Sequence, residues 1–98
     1  MKKPVNYNEF QESLQKNEAP VIWSEALKAL WFDAKGNWEA SHNIAQEIHS
    51  QIGSLIHAYL HRKEGDEFNA RYWYRQASKP FPEISLDAEL KEIVESLL

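Results

Sequence analysis

The chain has 98 residues, enough for one domain with its own apolar core and too few for two independent ones. A hydrophobic fraction of 43%, with four each of Trp, Tyr and Phe, argues against disorder. The absence of cysteine excludes a disulfide framework, a thiolate nucleophile and a Cys-ligated zinc site, and a net charge of −4 works against binding a phosphate backbone, so nucleic acid is not an expected partner.

Residues 1–20 form an N-terminal segment in which Tyr7, Phe10 and Leu14 suggest a short helix or an extended strip packed on the rest. Lys2 and Lys3 are followed by Pro4, Asn6 and Asn8, which interrupt any apolar signal core, and no stretch approaches a membrane span. The expectation is a cytoplasmic protein with no membrane partner.

The first hairpin is expected over 21–50. Ser24 is placed to cap a helix reaching Lys35, with Ala26, Leu27, Leu30, Trp31 and Ala34 on one side at three- and four-residue spacing. Between Gly36 and Gly53, the residues Trp38, Ser41, Ile44, Ala45, Ile48 and Ile52 make a second apolar stripe, and Gly53 is expected to separate that helix from the next. A second hairpin over 54–79 pairs a helix from about Ser54 to Glu64, apolar at Leu55, Ile56, Tyr59 and Leu60, with one over Glu67–Ser78, inward at Ala70, Trp73, Tyr74 and Ala77. Pro80 and Pro82 stop the latter, and Ser85 caps a C-terminal helix within 84–98 carrying Leu86, Leu90, Ile93, Val94 and Leu97. No segment shows period-two alternation, so the expected fold is all-α: five to six helices in stacked antiparallel helical hairpins, sealed by the C-terminal helix.

Two turns repeat one physical unit. Lys35-Gly36-Asn37-Trp38 and Glu64-Gly65-Asp66-Glu67 each end one apolar-faced helix and open another, with a small residue, Ser41 or Ala70, five positions past the glycine. Glycine makes a left-handed helix exit inexpensive, and Asn or Asp caps the next helix. At Gly65-Asp66, Ala70, Tyr74, Ala77 and Pro82 the chain resembles a tetratricopeptide or Sel1-like repeat, and the run from Asn69 to Ala77 is similar to the second helix of Sel1-like units. His57 to Asp66, with the following Asn-Ala and Tyr-Trp-Tyr, also resembles a group of small bacterial helical proteins, a match that brings no activity with it. The repeat resemblance implies a protein- or peptide-binding or scaffolding module without a cofactor, and a short repeat array leaves room for a homodimer.

Two constellations carry candidate chemistry. His57, His61 and Glu64 recur at i, i+4 and i+7, a spacing that a divalent metal can bridge if a neighbouring element adds a ligand; His42 and His49 are candidates to complete it. This is the alternative function, metal or small-ligand binding with a further step to an enzyme. Recognition outweighs it, because the ligand set does not close from sequence and no Gly-rich phosphate loop or nucleophile turn accompanies it. Arg71, Tyr72 and Arg75 gather with Phe68 on the outer side of the fourth helix, where guanidinium beside aromatic rings suits carboxylate, phosphate or peptide recognition. His57, His61 and Arg62 form the other candidate recognition edge. For Phe68 and Tyr72 internal packing outweighs docking: the acidic C-terminal helix is expected to cover them, with Glu89, Glu92 or Glu95 pairing with the arginines.

Overall fold

The computed structural model describes residues 4–98. The N-terminal reading of Met1, Lys2 and Lys3 lies outside the described residues. Among the described residues the chain is all-α, with six helices: α1 (Tyr7–Ser13), α2 (Glu25–Ala34), α3 (Trp38–Ala45), α4 (Gln51–Lys63), α5 (Glu67–Gln76) and α6 (Leu86–Ser96). Among the described residues there is no strand.

Local chemistry accounts for most boundaries. Side chains of Asn6, Ser24, Asn37, Asp66 and Ser85 accept hydrogen bonds from the backbone N–H three residues on, satisfying donors that the first turn leaves without a partner. Gly36 and Gly65 both adopt φ +87°, and the following Asn37 and Asp66 donate their backbone N–H to Phe32 and His61 carbonyls at 2.9 Å. The two turns are therefore the same object, as the repeated residues anticipate. α5 ends earlier than expected, at Gln76, because Ser78 takes a left-handed φ of 57° and Lys79 bonds back to Tyr74.

Gly53 corrects the sequence reading. It does not separate one helix from the next but sits inside the first turn of α4, while α3 stops at Ala45 and residues 46–50 turn the chain. A Cβ at Gly53 would collide with the Ile48 carbonyl oxygen, so glycine is present for a backbone approach and not for a left-handed turn. Ile48 and Ile52 still pack on the core from either side of this break.

α2 packs on α3 and α4 on α5, and α4 additionally touches α2, α3 and α6, so it is the shared wall of the molecule. The main core joins Phe10, Leu27, Leu30, Trp31, Ile56, Leu60, Ile93 and Val94. A smaller cluster of Ala58, Ala70 and Tyr74 lets α4 and α5 approach closely. Indole N–H groups tie elements across sequence: Trp31 donates to the Ser13 carbonyl at 3.2 Å and Trp38 to the Leu60 carbonyl at 2.8 Å. The C-terminal helix is tied to α4 and α5 at Glu89: the Arg62 guanidinium donates to it at 2.7 Å, and Tyr74 donates to the other Glu89 oxygen at 2.6 Å. No described helix is long and apolar enough to cross a membrane.

Candidate functional site

Three imidazoles meet where α3 crosses α4. His57 and His61 are one helical turn apart on α4, and His42 comes from α3; one nitrogen from each ring lies within 4.8 Å of the others. His42 Nε2 and His57 Nε2 are 2.9 Å apart, a contact that is attractive when one nitrogen carries hydrogen and the other presents its lone pair. Tryptophans wall the cluster. Trp38 lies flat on His42, one turn along α3, at 4.8 Å between centroids, and Trp73 of α5 lies flat on His57 at 4.0 Å. The hydrogen bond from Trp38 to Leu60 fixes α3 against α4 beside the rings.

The surroundings set the charge of these groups. His57 is 7% exposed, and burial, aided by His42 and His61, lowers its pKa to about 4. His42 is lowered as well, by burial and then by His61, against an opposing pull from Glu64. His61 is held by a carboxylate: its Nδ1 lies 2.7 Å from Glu64 and 3.9 Å from Asp66. His57 and Trp73 also line a cavity of about 600 Å³ together with Ser50, Gln51, Ser54 and Gln76.

The sequence-predicted ligand trio is therefore reapportioned. His57 and His61 do come together, Glu64 holds His61 from the outer side in a separate group with Asp66, and the third inner nitrogen belongs to His42. His49 is exposed in the turn before α4 and is not in either group. The recognition edge expected at His57, His61 and Arg62 is largely taken up internally: His57 is buried, and Arg62 is committed to Glu89 and to the Ile84 carbonyl. Sequence periodicity assigns Trp38 and Trp73 to the hairpin cores and misses their place beside the imidazoles; the Trp38–His42 spacing of four on one helix is the local signal of the first stack.

The outer face of α5 departs from the favoured packing expectation. Phe68 is 84% exposed and Tyr72 44% exposed, so α6 does not cover them, and the α6 carboxylate expected near Arg71 or Arg75 pairs instead with Arg62. Arg71 is bonded to Glu67 at 2.7 Å, and its guanidinium stands 4.4 Å from the centre of the Phe81 ring. Tyr72 meets Trp73 edge-on at 5.1 Å, and Arg75 is exposed. α6 goes to the other side, packing on α1, α2 and α4, because its apolar stripe of Leu90, Ile93 and Val94 joins the larger core.

Fold and site together define an all-helical chain with a tryptophan-walled imidazole cluster inside and an aromatic, cationic helix face outside. In comparisons with family models, curated proteins and solved structures, the chain matches none of them.

Proposed function

We propose that this chain is a cytoplasmic protein-recognition module whose outer α5 face docks an acidic, partly apolar segment of another protein. The observation that carries the reading is the exposure of Phe68, 84%, on a structured helix. Phe68, Arg71, Tyr72 and Arg75 stand at i, i+3, i+4 and i+7, so one stripe alternates aromatic rings with guanidinium groups. Apolar rings left in water contribute to binding when a partner covers them, and Arg forks onto carboxylates while its plane stacks on rings.

α5 is suited to present that stripe with little rearrangement. Asp66 caps its start, its C-terminal carbonyls are closed by the turn at Ser78, and Ala70, Tyr74 and Ala77 are buried on the opposite side. The partner's chemistry comes from the charges: Glu67 already neutralises part of Arg71, so Arg75 is the cation to which an incoming carboxylate is drawn. The resemblance of Gly65–Pro82 to tetratricopeptide-like hairpins supports recognition as the kind of task, by analogy of fold.

Selection of displayed random peptides on the purified chain tests this. Enriched peptides are expected to join Asp or Glu to an apolar residue, and Phe68→Ala or Arg75→Ala is expected to weaken their binding about tenfold or more. Equal binding by wild type and both variants would remove the α5 face from consideration.

A further inference from the structure

The geometry points to a second function away from the α5 face: His42, His57 and His61 form a site for one divalent transition-metal ion of the zinc, nickel or copper class. The proportions fit such an ion. With metal–nitrogen bonds near 2.0–2.1 Å, two ligands of a tetrahedral centre stand about 3.3 Å apart. His42 Nε2 and His57 Nε2 are 2.9 Å apart and the three ligand nitrogens all lie within 4.8 Å of one another, a spacing on the scale of that separation.

The donor set selects the class of ion. Three imidazoles with no oxygen donor among them do not suit calcium or magnesium, which take oxygen ligands, and there is no thiolate in the chain to favour a sulfur-rich centre. Three protein ligands leave a fourth position for water or a small exogenous ligand. For His42 and His57 both to offer the ion an Nε2 lone pair, the hydrogen between them moves to Nδ1 of the ring that carries it, a change of tautomer with no net loss of a proton.

The support around the rings is that of a held site. Glu64 at His61 Nδ1 holds the ring, the carboxylate–histidine pairing that raises the basicity of the other ring nitrogen toward a metal. Trp38 and Trp73 pin His42 and His57 face-on, which removes much of the rotamer freedom that binding would otherwise have to freeze. The sequence spacing of His57 and His61 supplies half of such a centre, and the helix crossing supplies His42.

Titration of the tag-free, chelator-stripped chain with Zn²⁺ by calorimetry, and with Co²⁺ by visible absorption, tests the site. The expected result is one ion per chain with a tetrahedral-type Co²⁺ band in the visible. His42→Gln and His61→Gln are each expected to weaken binding about 100-fold and Glu64→Gln about tenfold, while His49→Gln leaves it unchanged. Far-UV circular dichroism establishes that each variant is helical; should one lose its fold, the wild-type stoichiometry and Co²⁺ band decide alone. Absence of the band in wild type, or a loss with His49→Gln as large as with His42→Gln, would overturn the assignment.

Discussion

Tyr74 of α5 donates its hydroxyl to Glu89 of α6 at 2.6 Å, and Glu89 is 4% exposed. The same carboxylate accepts from Arg62 of α4, so three helices converge on one buried charge. Burial and the neighbouring carboxylate both raise the Tyr74 pKa, so the phenol stays protonated as the donor. Removing one partner of such a pair leaves a charge in low dielectric. Arg62→Leu is expected to cost about 3 kcal/mol in urea unfolding, and the double variant Arg62→Leu/Glu89→Leu is expected to recover most of it. A double variant no more stable than Arg62→Leu would show that the pair contributes through packing instead.

Glycines at three positions act in two different ways, and substitutions separate them. Gly36 and Gly65 have positive φ and open space where a Cβ would go, so alanine there incurs backbone strain alone, about 1 kcal/mol each. At Ser78, whose φ is also positive, glycine is expected to stabilise by a similar amount, about 0.5–1 kcal/mol. Gly53→Ala is different, since its Cβ would collide with the Ile48 backbone oxygen; a loss of more than about 3 kcal/mol is expected. Thermal unfolding of the four variants reads these signs directly, and a Gly53→Ala midpoint equal to that of Gly36→Ala would contradict the close approach.

The imidazole cluster gives stability a definite pH dependence. Facing His57 are His42 from α3, His61 from its own helix and the uncharged Trp73 from α5, with Glu64 beyond His61. The folded pKa of about 4 lies below the unfolded value of 6.5, so the unfolded chain takes up the proton first as the solution is acidified. The contribution is therefore complete above 6.5, declines as pH falls from 6.5 toward 4, and changes no further below that. Urea unfolding with chelator present, compared at about pH 7.5 and about pH 4.5, is expected to show a loss on the order of 2 kcal/mol that His57→Gln largely abolishes. An identical loss in His57→Gln would assign the effect to other groups.

Much of the fold was legible because it is written in local chemistry. Helical periodicity, the capping side chains at Ser24, Asn37, Asp66 and Ser85, and the left-handed exits at Gly36 and Gly65 each involve residues within one or two turns of one another. Gly53 misled because glycine answers two needs, a left-handed turn and a missing Cβ, and sequence spacing does not tell them apart. Of the inner site, the His57–His61 pair was legible from its four-residue spacing, and His42 was visible as a candidate.

The sequence by itself determined that the elements are helices and where most of them begin, since a cap or a turn depends on neighbours along the chain. Only the tertiary structure decided that His42 rather than Glu64 closes the imidazole trio, that Arg62 is turned to Glu89, and that α6 leaves Phe68 in water. The reason is that burial is allocated by competition: α6 has one apolar stripe, the core of α1, α2 and α4 offers it a larger apolar surface than α5 does, and the losing face remains exposed.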